Sequence, residues 1–195
     1  MNYHYLIFIG VLAQFISVLS YIKAMMRGEA KPNRVSWFFW IIAPLIGSIA
    51  AFMAGVRWAL VPVIMSWFGP FLVFSFSLFN KQAYWKLQPF DYWCAVFSGL
   101  ALLLWGLTKQ PLVAIIFSVL ADFLAAIPTI IKARKFPETE KFGPYLAGAF
   151  SATLSLLIVK SWLLTEILFP AYLIFVNLLI VLAICVKFKA RRVKF

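Results

Sequence analysis

Seven apolar runs alternate with short polar connections along the chain, at 3–22, 35–54, 58–79, 89–108, 111–131, 143–160 and 166–186. Each is close to the roughly 20 residues that carry an α-helix across a hydrocarbon core. The connections are too short to hold a soluble domain. The pattern therefore predicts an all-α membrane protein of seven transmembrane helices.

Composition agrees. Of 195 residues, 65% are hydrophobic, well above the roughly 45–50% of soluble domains, and the mean hydropathy is +0.97. The net charge of +12 raises the question of a nucleic-acid partner, and the positions of the charges answer it. Only Arg57, Lys109 and Lys160 fall in the second, fourth and sixth connections, and the N-terminus carries no Lys or Arg. The other 15 of the 18 basic residues lie in the first, third and fifth connections and in the tail after 186. By the positive-inside rule the N-terminus is outside and the C-terminus cytoplasmic. Merging or splitting any run would scramble this division, so the charges support the count of seven, and no nucleic-acid partner is implied. The expected location is a bacterial inner (plasma) membrane, crossed several times. The first helix lacks a basic flank before it and reads as a retained span rather than a signal peptide.

A repeat runs through the chain. VLAQF at 11–15 returns as VLADF at 119–123, an offset of 108 residues that also pairs Leu60 with Leu168, Pro62 with Pro170, Val73 with Val181 and Lys81 with Lys189. Two three-helix units follow, 3–81 and 111–189, with 89–108 as a linker helix and 190–195 as a basic cytoplasmic tail. One helix between two three-helix units returns the second to the orientation of the first. The expected architecture is two parallel three-helix bundles joined by a linker, 3+1+3.

The residues Pro128-Thr129-Ile130-Ile131-Lys132, Glu138, Gly143-Pro144-Tyr145, Ser151 and Ser161-Trp162 resemble the second repeat of SWEET and PQ-loop transporters. In the first unit Ser20 and Ser36 stand where prolines would align, while Ser36-Trp37 and Arg57-Trp58 resemble Pro144-Tyr145 and Ser161-Trp162; the Pro-Gln dipeptide of the PQ-loop is missing from both units. The resemblance implies the 3+1+3 fold and transport of a small solute. It also implies a pocket role for Asn177, which is similar in position to an asparagine of the SWEET sugar site. The matching residue of the first unit is Gly69, so a symmetric pair of amides is not expected.

Asp122 lies in the middle of its span, about 16 Å from either end at roughly 1.5 Å per residue. A carboxylate there costs roughly 2.5–3.5 kcal/mol on insertion scales, which is tolerated where it binds a proton or a polar ligand. The alternative is a packing device that hydrogen-bonds a neighbouring helix. At the repeat offset its counterpart is Gln14, also mid-helix. Trp67 is the one tryptophan well inside a span; the other seven lie near helix ends, where an interfacial belt accounts for them. Pro44, Pro70, Pro128 and Pro170 interrupt helix interiors and supply hinge points. Ser151, Thr153 and Ser155 are candidates to line a cavity.

Other chemistry is not indicated. His4 is the sole histidine, Cys94 and Cys185 form no disulfide or zinc framework, and Glu138 and Glu140 in a basic loop read as surface ion pairs. No enzyme, metal or cofactor is expected. The leading expectation is a transporter of a sugar-, amino-acid- or nucleoside-like solute working by alternating access, with Asp122, Gln14, Asn177 and Trp67 at the substrate and a proton as a second partner. A ligand-binding receptor on the same scaffold and a structural or assembly role are the alternatives. Membrane lipids and further copies of the chain complete the admissible partners.

Overall fold

The computed structural model describes residues 4–53, 60–80, 83, 85–108, 110–159 and 162–192. Seven α-helices lie among them: α1 (His4–Met26), α2 (Arg34–Met53), α3 (Leu60–Phe79), α4 (Pro89–Thr108), α5 (Pro111–Lys135), α6 (Gly143–Leu157) and α7 (Leu164–Arg192). They coincide with the seven apolar runs. α1, α5 and α7 continue beyond those runs into basic residues, as expected of Lys and Arg, which are good helix formers and lay their stems along apolar surface. The connection expected at 55–57 and the tail at 193–195 lie outside the described residues.

Among the described residues three stretches are long and apolar enough to cross a membrane: Tyr5–Met26, Ile115–Lys135 and Glu166–Val186. Shorter apolar stretches run through α2, α3 and α4, at Arg34–Ile46, Val63–Phe79 and Pro89–Leu104. The outward faces of the helices expose large apolar side chains, among them Phe8, Leu12, Phe79, Leu103, Leu107 and Leu157. Water would make such a surface an aggregation hazard, whereas lipid solvates it.

The helix ends follow local chemistry. α1 closes in a Schellman turn in which Gly28, at φ 73°, donates to the Met25 carbonyl and Glu29 to that of Ala24; a side chain at a positive φ would be strained there. Asn33 caps α2 by accepting from the Val35 amide at 3.1 Å. Asp91 accepts from the Gln88 amide at 2.7 Å at the start of α4. Pro137 follows the last turn of α5 and opens a 3-10 turn, Pro137–Thr139, and Pro144 occupies the first turn of α6.

The neighbours of each helix repeat along the chain. α3 packs on α1 and α2, and α7 packs in the same way on α5 and α6. α1 lies against α6 and α2 against α5, while α4 leans on α5 and α2. Most of the core lies where α1 to α3 meet α5 to α7. A smaller cluster of Ala43, Ala101 and Ala121 joins α2, α4 and α5, where methyl side chains let helix backbones approach closely. Thr129 of α5 donates to the Ser36 hydroxyl of α2 at 2.8 Å, and both residues are fully buried. Thr129→Val keeps the shape and leaves Ser36 without this donor, so chemical denaturation in detergent should register a loss of about 1–3 kcal/mol.

Candidate functional site

A cavity of about 90 Å³ opens among α1, α2, α3, α5, α6 and α7. Gln14 comes to it from α1, Pro44 from α2, Pro70 from α3, Asp122 from α5, and Pro170 and Asn177 from α7. Two of the four residues expected at a substrate, Gln14 and Asp122, are the repeat-related pair, so the offset of 108 brings matching positions into one space. Trp67 does not line the cavity; it packs edge-on against Phe68 at 6.1 Å. Pro128 is buried elsewhere along α5. Ser151 and Ser155 line the wall as anticipated, but Thr153 spends its hydroxyl on the Ala149 carbonyl at 2.8 Å and is not part of the lining.

Asp122 is 2% exposed, and its Oδ2 accepts from the Tyr172 hydroxyl at 2.6 Å. Among the described residues none donates to its Oδ1. Tyr172 is a partner that the sequence left unremarked, although a tyrosine inside a span requires a partner for its hydroxyl. Asn177 donates from Nδ2 to the Leu173 carbonyl at 2.8 Å, and a Cβ on Gly148 would lie 3.1 Å from its Oδ1. The absence of a side chain at Gly148 is therefore what gives Asn177 its place.

Prolines in the wall loosen the backbone beside the cavity. Pro44 and Pro70 have no N–H for the carbonyls of Trp40 and Ser66, both of which line the space. The helices are nevertheless continuous across Pro44, Pro70, Pro128 and Pro170.

Toward the basic helix termini the cavity is lined by aromatic rings. Trp37 meets Trp40 at 5.3 Å and Tyr145 at 6.4 Å between ring centroids, and Trp40 meets Tyr145 at 6.2 Å. Trp37 and Tyr145 are related by the repeat offset. An interfacial belt does not account for Trp37 and Trp40: both are buried and face the cavity.

Behind the rings lies a buried ion pair. Lys132 contacts Glu140 at 2.5 Å, and both are almost wholly enclosed. Tyr21 and Tyr145 donate to the other Glu140 oxygen at 3.0 and 3.1 Å. Lys132 also donates to the Lys31 carbonyl and sits 5.1 Å from the centre of the Trp85 ring. Glu140 is thus not the surface residue its basic loop suggests; folding of the 136–142 segment back onto α1 encloses it. The outer pair of the same two loops, Lys141 and Glu29 at 2.9 Å, is solvent-exposed, and Lys141 holds the Glu29 carboxyl below its usual range. The Lys31 amide donates to the Thr139 carbonyl at 3.0 Å and completes the clasp.

Among the described residues no three of His, Cys, Asp and Glu gather as metal ligands, and Cys94 and Cys185 are free thiols. Comparison with family models, curated proteins and solved structures finds no match to this chain.

Proposed function

We infer that the protein is a multi-pass carrier of a small polar solute in a bacterial inner membrane, with two parallel three-helix units, 3–81 and 111–189, rocking about a central site. α4 is the linker, the N-terminus is outside and the C-terminus cytoplasmic. The observation that carries this reading is the cavity between the units, which gathers Gln14, Asp122 and Asn177 around one space. The matched neighbours of α3 and α7, and the matched crossings of α1 on α6 and α2 on α5, support the repeat. Binding sites at repeat interfaces near the bilayer midplane are a general feature of secondary transporters. The clasp of Lys132, Glu140, Tyr21 and Tyr145 joins both units at the basic end, so it closes the cytoplasmic route and opens in the other half of the cycle. Pro44, Pro70, Pro128 and Pro170 are the hinges, and Asp122 exchanges a proton during turnover.

The test is uptake into proteoliposomes of labelled sugars, amino acids, nucleosides and small amines, with and without a pH gradient. One class should accumulate or equilibrate above empty vesicles. Asp122→Asn should reduce that flux by about tenfold or more, the equivalent of roughly 1.5–3 kcal/mol for a hydrogen bond to a charged group. Saturable binding without flux would replace this reading with a receptor. A stable Asp122→Asn variant with neither binding nor flux altered would leave Asp122 as a packing device.

A further inference from the structure

Several donors of the cavity wall are already engaged within the protein. The Ser66 hydroxyl donates to the Val63 carbonyl at 2.7 Å and the Ser155 hydroxyl to that of Ser151 at 3.0 Å. Tyr145 gives its proton to Glu140 and Asn177 its amide to Leu173. These donors are turned away into the protein. What remains toward the cavity includes hydroxyl lone pairs, the Asn177 Oδ1 and the Asp122 Oδ1 that no described residue serves, together with two donors, the Gln14 amide and the Trp37 indole N–H, the latter buried with no hydrogen-bond partner. The Ser151 Oγ is buried in the wall with no hydrogen-bond partner and, like Gln14, can accept or donate.

Charge is what narrows the substrate. Among the described residues Asp122 is the only ionisable acid or base in the lining apart from the Tyr145 phenol, and none of the described Lys, Arg or His residues lines the cavity. The buried cation Lys132 is held by Glu140 behind the aromatic rings. Trp37, Trp40 and Tyr145 line the cavity with electron-rich rings, a surface that attracts cations. A carboxylate ligand would meet no cation among the described residues of the lining.

We propose that the cavity binds a small organic ammonium ion, its positive nitrogen at Asp122 Oδ1 and its apolar part against Trp37, Trp40 and Tyr145. The space of about 90 Å³ holds roughly six waters at about 15 Å³ each, so the ligand is a compact amine rather than a polyamine or a nucleoside. This substrate class rests on the carrier reading for its purpose but not for its test.

Isothermal titration of the purified protein in detergent with ethanolamine, choline and 3,3-dimethylbutan-1-ol, the uncharged isostere of choline, decides it. At least one ammonium compound should bind, and choline should bind at least about tenfold more tightly than the alcohol, a difference near 1.4 kcal/mol. Asp122→Asn should remove that preference, and Trp40→Leu should weaken binding while leaving the charge preference intact. Equal affinity for choline and the alcohol, an undiminished preference in a folded Asp122→Asn variant, or no binding of either ammonium compound would overturn the proposal. If choline binds but proteoliposomes show no flux of it, the carrier reading fails and the ammonium site stands. If a neutral solute binds and is transported instead, the reverse holds.

Discussion

Lys132→Met is expected to cost the folded protein on the order of 3–5 kcal/mol, the usual penalty for removing one partner of a buried ion pair. Glu140 is enclosed, and its strongest partner is the Lys132 ammonium at 2.5 Å. Without that ammonium the carboxylate keeps only the neutral hydroxyls of Tyr21 and Tyr145, which do not balance a full charge away from water. The Lys31 carbonyl loses its donor in the same step. Adding Glu140→Gln to Lys132→Met removes the orphan charge and should restore about half or more of the loss, because the pair's own desolvation largely offsets its attraction. Equilibrium unfolding in mixed micelles measures all three proteins. A single-variant loss below about 1 kcal/mol, the range of exposed pairs, would mean that water reaches Glu140 and that the clasp does not close the cavity.

That clasp was not legible in the sequence, and the reason is physical. A glutamate five residues past the helix end, among lysines and an arginine, has the composition of a solvated loop; only the return of 136–142 onto α1 buries it, and that contact spans 119 residues between Tyr21 and Glu140. Trp37 and Trp40 were hidden for a related reason, since tryptophans near a helix end are accounted for equally well by lipid headgroups. The weak likeness of Trp37 to Tyr145 at the repeat offset was the available sign that they act together. The seven helices were legible because the length of an apolar run is a direct readout of helix extent in a membrane protein. Asp122 was legible because charge in such a run is costly, and Gln14 because the repeat places it opposite. Trp67 shows the limit of depth alone: a residue at the right level can still face away, and only helix rotation, fixed by packing, decides that.

Gly148→Leu is expected to abolish ligand binding and flux while leaving a folded protein. Gly148 is in the cavity wall on α6, and a Cβ there already comes within 3.1 Å of Asn177 Oδ1. The atoms in its way, Oδ1, Cγ and Nδ2 of Asn177, belong to a side chain that can turn, so the backbones of α6 and α7 need not separate. The leucine then fills the space that a ligand would occupy, and Asn177 gives up the orientation that its bond to Leu173 fixes. Filling a cavity with apolar atoms restores contacts that the empty wall lacks, so melting in detergent should be unchanged or raised. Gly148→Ala should sit between, weakening binding with little effect on melting. The contrast with Gly10 makes the argument specific: a Cβ there meets the Ser151 backbone at 3.2 Å as well as two side chains, so Gly10→Leu forces α1 from α6 and lowers stability. Loss of folding in Gly148→Leu to the extent seen at Gly10 would show that Gly148 serves helix packing. Full binding in a folded Gly148→Leu would move the ligand out of this cavity altogether.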